Sequence, residues 1–196
     1  MIRKMLMAAV LVACSATIAT AAPTITAGNH QLLPNTSGQV ISILASGDFL
    51  ADALAGVDLF LVIGGGTEGP MVTNLDLIGA GTIFAASNTG QQDFGAPYIP
   101  PSREIVGITT TVSGTVNPNG VLAYLTLDTT GLAAGDYTLS LTSDLIGPSV
   151  LYSAGAAPTV LINGTLSVVP EPSSVVLGLF GIAGVAAIAI RRRRIG

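Results

Sequence analysis

Between residues 39 and 168 the chain alternates apolar and polar residues in short runs broken by Gly, Pro and Asn, a period of two that only strands satisfy. The runs are 39–44, 58–63, 104–112, 121–127, 137–142 and 160–168. In Tyr124-Leu125-Thr126-Leu127 and Thr138-Leu139-Ser140-Leu141 the leucines share one face, and phenol or hydroxyl groups take the other. One face is therefore expected to be buried, with Leu125 and Leu139 in the core, and the other wet. Turns are expected at Asn117-Pro118-Asn119-Gly120 and Ala134-Gly135-Asp136, where Pro fixes φ or Gly tolerates a positive one. A single helical turn fits 47–54, with Phe49/Ala53 and Leu50/Leu54 at i,i+4. No long amphipathic helix separates the strands, so parallel βαβ units are disfavoured. The expected class is all-β: two antiparallel sheets packed face to face as a sandwich.

Composition narrows the chemistry. The stretch 22–169 is long enough for one domain with its own core. Its only histidine is His30, it has no lysine, and the chain's single cysteine, Cys14, precedes it. Nucleophile–base pairs and zinc sites would have to be built on one imidazole, so the expectation is a non-enzyme without a cofactor. Ten Asp/Glu face Arg103 alone, a net charge of −9 that argues against nucleic acid and anionic surfaces as partners. Calcium is the ion such carboxylates suit, but Asp48, Asp52 and Asp58 form no EF-hand loop, and no metal site is assigned. Gly64-Gly65-Gly66-Thr67-Glu68-Gly69 matches a dinucleotide fingerprint literally, yet no βαβ unit surrounds it, and it reads as an inter-strand loop. Asn35-Thr36-Ser37 and Asn163-Gly164-Thr165 fit the glycosylation sequon, but neither is assigned as a modified site, and Asn163-Gly164 reads as a turn or bulge. With no Trp, the best contact loop is 91–101, carrying Phe94 and Tyr98 among prolines.

Both ends are addressed to a membrane. Arg3 and Lys4, an apolar stretch from Met5 to Ile18 and small residues before Ala21-Ala22 form a secretory signal peptide over 1–21, with cleavage between Ala21 and Ala22. Leu11-Val12-Ala13-Cys14 also resembles a lipobox, in which the cysteine would be acylated. At the other end Val169-Pro170-Glu171-Pro172 is followed by an uncharged stretch, 173–190, and then by Arg191, Arg192, Arg193 and Arg194. As a helix, that stretch measures about 27 Å, enough to cross a hydrocarbon core. The arginines would stay on the cytoplasmic side and leave the preceding domain outside.

Pro170-Glu171-Pro172, the hydrophobic span and the basic cluster resemble the PEP-CTERM sorting signal. That resemblance implies export by a bacterium and cleavage near the motif by an exosortase, a membrane-embedded transpeptidase. It also implies an inner-membrane-anchored precursor and a final place in the envelope, at the surface or in the extracellular matrix. Between the ends, 119–128 followed by 134–141 resemble the strand pattern of cohesin-type domains, which are nine-stranded jelly-roll sandwiches. The expected organisation is signal peptide 1–21, exported sandwich 22–168 and sorting tail 169–196. The expected function is a non-catalytic surface or matrix protein, associated with exopolysaccharide or another surface protein; the alternative is a carbohydrate- or ligand-binding module on the same route. If the motif is read by such an enzyme, replacing Pro170, Glu171 and Pro172 with alanine leaves the chain uncleaved in the membrane fraction. Unchanged release at the mature mass would contradict this.

Overall fold

The computed structural model describes residues 22–48, 51–153, 158–169, 180 and 182. Strands follow one another as β1 (Thr24–Thr26), β2 (Asn29–Leu32), β3 (Ser37–Ser46), β4 (Leu54–Ile63), β5 (Met71–Asp76), β6 (Gln92–Asp93) and β7 (Glu104–Thr110). They continue as β8 (Gly120–Asp128), β9 (Gly135–Ser140), β10 (Thr142–Ser143), β11 (Gly147–Pro148), β12 (Val150–Ser153), β13 (Val160–Ile162) and β14 (Gly164–Val168). Sheet A runs β13-β1-β3-β8-β5, and sheet B runs β2-β14-β9-β4-β7-β6 with β12 also on β4. The sandwich expected from the alternation is what forms, and its inner faces meet through Ile25, Ile43, Leu59, Leu61, Leu125, Leu127, Leu139 and Leu166, all buried. Gly107 on β7 faces inward and leaves room for the leucines of sheet A. A Cβ there would lie 2.5 Å from the Leu75 side chain and 3.0 Å from that of Leu77.

Pairing between the named strands is antiparallel except at one place, which the alternation does not disclose. β1 pairs β13 and β2 pairs β14 in parallel, Ile25 opposite Leu161 and Leu166 opposite His30. The first and last segments thus run side by side and change sheet together between Ala27–Gly28 and Asn163. Ala27 N–H donates to Ile162 O at 2.8 Å before the change, and Thr165 N–H donates to Gly28 O at 3.2 Å after it. Gly28 takes φ +77°, and a Cβ on Gly164 would overlap the Gly28 carbonyl, so the crossing requires glycine on both chains. Asn163 is the corner residue, its Oδ1 accepting Leu141 N–H at 2.9 Å. The run 160–168 is therefore two strands in two sheets, with Asn163-Gly164 at a sheet change in place of a hairpin turn.

Other local expectations shift in register. Of the helical turn expected at 47–54, Phe49 and Leu50 lie outside the described residues; Asp52 N–H donates to Asp48 O at 2.7 Å, and Leu54 already belongs to β4. Gly135 and Asp136 lie in β9, so the turn expected there falls in 129–134. His30 sits in β2 with Nε2 2.8 Å from Ala27 O. Gly64, Gly65 and Gly66 form a 3-10 turn with positive φ, the inter-strand loop expected.

β9 and β12 are two pieces of one strand along β4: Ser140 stands opposite Val62 and Val150 opposite Asp58. The β10–β11 hairpin bulges out between them. The gap in the ladder is filled by the buried Ser149 hydroxyl, which accepts Phe60 N–H at 2.9 Å and donates to Phe60 O or Leu141 O at 2.9 and 2.8 Å. One side chain thus replaces a missing backbone partner. Ser149→Ala leaves the Phe60 amide without an acceptor, at an expected cost of about 1–3 kcal/mol in urea unfolding; a change within about 0.3 kcal/mol would show that the hydroxyl does not close the ladder.

Candidate functional site

Both outer faces carry acids, and that of sheet A holds Asp76 and Asp128 by the register of β5 and β8. On sheet A the outward residues nearest β13 are Val160, Ile162, Thr24, Thr26, Ser42 and Leu44, none charged, by the register of β13, β1 and β3. The outer face of sheet B carries Asp58 on β4, Glu104 on β7 and Asp136 on β9, with Asp144 on the hairpin beyond. Such a face favours basic partners.

Three features give sheet B's outer face a shape. Phe60 and Val106 stand opposite each other in register and are buried, 7% and 2% exposed, yet they lie apart from the main core. They form a small covered apolar cluster beneath the outer side. Beside it a groove of about 420 Å³ is lined by Val62, Glu104, Thr138, Ser140, Asp144 and Leu145. At the other end of β4, Tyr152 lies opposite Gly56, and its hydroxyl donates to Asp58 Oδ2 at 2.5 Å. Tyr152 remains 45% exposed, so its ring is available to a partner.

The loop 91–101 borders this same face. Gln92 and Asp93 pair with β7, Tyr98 O accepts Val106 N–H at 3.2 Å, and the Phe94 and Tyr98 rings meet edge to face at 6.4 Å. Phe94 is 57% exposed. The sequence located this loop but gave no sign of Tyr152–Asp58 or of the groove, which depend on β12 and the hairpin returning to β4. Asp48 and Asp52 come together, Asp48 N–H donating to Asp52 Oδ2 at 2.9 Å, while Asp58 is apart from them on the outer face. Among the described residues no group of three or more His, Cys, Asp or Glu could hold a metal ion.

Of the processing residues, Ala22 is described, accepting the Thr24 hydroxyl at 3.2 Å. Ala21, Pro170, Glu171, Pro172 and Arg191 to Arg194 lie outside the described residues, as does Cys14. Within the apolar stretch Phe180 and Ile182 are helical and each 71% exposed. Among the described residues no helix is long and apolar enough to cross a membrane. The folded part reaches the motif without a spacer: Val168 is 2% exposed, and Val169 N–H donates to Leu32 O at 3.0 Å.

The hydrogen bond to Asp58, assisted by desolvation and by the carboxylate's charge, raises the Tyr152 phenol above its ordinary pKa. A raised acid favours its neutral form in the fold, so this contribution is present below the unfolded value, near 10, and fades as pH rises through the folded one. Phenolate absorbance should therefore show Tyr152 ionising later in the native protein than in Asp58→Asn. Identical titrations in the two proteins would show that the contact is not formed.

The PEP-CTERM protein-sorting motif matches residues 168–194. No curated protein matches the chain in sequence. Among solved structures, a non-cellulosomal cohesin from the archaeon Archaeoglobus fulgidus superposes with a TM-score of 0.56 at 18% identity, over 79% of this chain and 96% of that one. The sixth cohesin of Acetivibrio cellulolyticus scaffoldin B, solved with a Cel5 dockerin, gives 0.52 at 14% identity over 76% and 98%. The seventh ScaB type I cohesin of Pseudobacteroides cellulosolvens gives 0.52 at 15% identity over 76% and 94%. The chain thus has the cohesin β-sandwich fold and ends in a PEP-CTERM sorting motif, the signature of an exported protein anchored at its C-terminus before processing.

Proposed function

We propose that the exported part is a non-catalytic protein-binding module, displayed at the cell envelope or in the surrounding matrix after an exosortase-type enzyme has processed its tail. The observation that carries this reading is the outer face of sheet B, where the groove, exposed Phe94 and the Tyr152–Asp58 pair share one side of one sheet. Aromatic side chains with a polar rim are what protein interfaces use. The acids on this face call for a basic partner segment.

Several solved cohesins of this fold are complexes with dockerins, which supports a protein partner of dockerin-like kind. An exopolysaccharide role fits the export route but has less on this face to support it. The groove offers hydroxyls and carboxylates, and none of the residues lining it is aromatic, whereas sugar platforms are commonly rings. Catalysis is unsupported for the reason given by composition: hydroxyls and carboxylates remain, with His30 held in β2 away from them.

The test is capture of a protein partner from the envelope fraction of the producing cell by the tagged 22–169 domain. Tyr152→Ala with Phe94→Ala should lower the captured amount at least about tenfold, because truncating hot-spot aromatics costs about 2 kcal/mol or more. Thr24→Ala with Ser42→Ala, on the outer face of sheet A, should leave it unchanged. Loss through the sheet A pair alone would place the partner on the wrong face, and binding only to purified exopolysaccharide would replace the protein reading with the carbohydrate one.

A further inference from the structure

The place where the folded chain hands over to the sorting tail is built in detail. Val168 closes the core and Val169 bonds to Leu32, so Leu33 to Thr36 lies directly beside the exit. The segment 129–135, between β8 and β9, forms the other half of this end, since Gly135 pairs with Val168. The buried Thr129 hydroxyl locks the two together, accepting Thr36 N–H at 3.0 Å and donating to Leu33 O at 2.6 Å, and Asn35 Oδ1 accepts Gly131 N–H at 2.9 Å. Neither loop contains a charged residue. Leu33 is 44% exposed, and Ala133 and Ala134 are exposed beside it.

Charges near this end are turned to other work. Asp128 accepts the Thr130 amide and hydroxyl at 2.8 and 2.6 Å, and Asp136 accepts the Ser167 hydroxyl at 2.6 Å. The loop 64–70 borders this same end, because Ile63 stands opposite Leu139 and Met71 opposite Asp128, and it carries the exposed Glu68; Glu104 begins β7 beside it, opposite Val62. There Arg103, the only cation of 22–169, donates its Nε–H to Gly69 O at 2.8 Å.

Chain length then fixes what faces this end. Only Pro170, Glu171 and Pro172 separate Val169 from the uncharged stretch that begins at Ser173. Fully extended, they hold the exit within about 14 Å of that stretch. The polar layer of one leaflet is itself about 5–8 Å thick. We infer that the two loops without charged residues at this end, Leu33–Thr36 and Thr129–Gly135, are a membrane-contact surface, resting on the outer headgroup layer of the bilayer while the tail is attached. The inference depends on reading 173–190 as the membrane anchor. Cleavage of the tail would release this surface from the bilayer.

The full-length chain carrying Cys14→Ser is reconstituted in phosphatidylcholine vesicles containing a headgroup nitroxide lipid. A fluorophore is placed at Ala133→Cys on the contact end, or at Val112→Cys, 70% exposed at the opposite end. Co-flotation reports the anchor separately. Quenching at position 133 should exceed that at 112 by at least threefold, and should fall at least twofold when Leu33→Asp and Ala134→Asp are added without change in the unfolding midpoint. A floating chain with equal quenching at the two positions overturns the contact alone. Quenching at 133 that ignores the two aspartates also overturns it, because the tether alone then explains proximity. A chain that fails to float overturns anchor and contact together.

Discussion

The parallel pairing of the first and last strands is the constraint on which the rest of the sandwich depends. Antiparallel hairpins place neighbours in sequence beside one another, but closing two sheets into one domain requires contacts across the whole chain. Here 24–32 and 160–168 supply them by running together from sheet A into sheet B. The change is possible because Gly28 and Gly164 let two backbones touch where any Cβ would intrude. Such long-range pairing forms late and its loop-closure entropy is large, so its hydrogen bonds at Ala27 and Thr165 matter beyond their number.

That closure sets where the sorting motif and the outer face of sheet B lie. The last strand finishes at Val168 inside the core, so the sorting motif starts where the fold stops and inherits a fixed position on it. It also leaves β4 in the middle of sheet B, flanked by β7 on one side and by the interrupted β9–β12 strand on the other. The interruption creates the groove and brings Tyr152 over Gly56 to Asp58. The same architecture thus supplies both the point where the sorting motif joins the fold and a contoured acidic face.

Much of this was legible in sequence, and what was missed shares a physical cause. Alternation located β3, β4, β7, β8 and β9 and put Leu125 and Leu139 in the core, where both are fully buried. It did so because a half-buried strand must repeat with period two. β1, β2, β6, β10, β11 and β12 are too short to show a period, and β5, as long as β9, has a register shift between Val72 and Asn74 that breaks its alternation. In 160–168 alternation survives a change of sheet; Asn163-Gly164 signals a turn or bulge there, and only the steric demand at Gly164 makes it a corner. The composition indicated that Phe94 and Tyr98 form a contact loop, but Tyr152–Asp58 joins residues 94 apart in sequence, and no local pattern announces such a pair.

The most direct measurement of the account is native-state hydrogen exchange at the amides of Ala27, Thr165 and Val169, the bonds that tie the two terminal segments across the sheet change and up to the motif. If this pairing closes the domain, the Ala27 and Thr165 amides exchange only through global unfolding, with the same opening free energy as core amides such as Leu125, and Val169 exchanges through fraying of the final pair. Exchange of Ala27 and Thr165 at the rate of exposed loops, while Leu125 stays protected, would show that the core stands without the terminal pair and would contradict it.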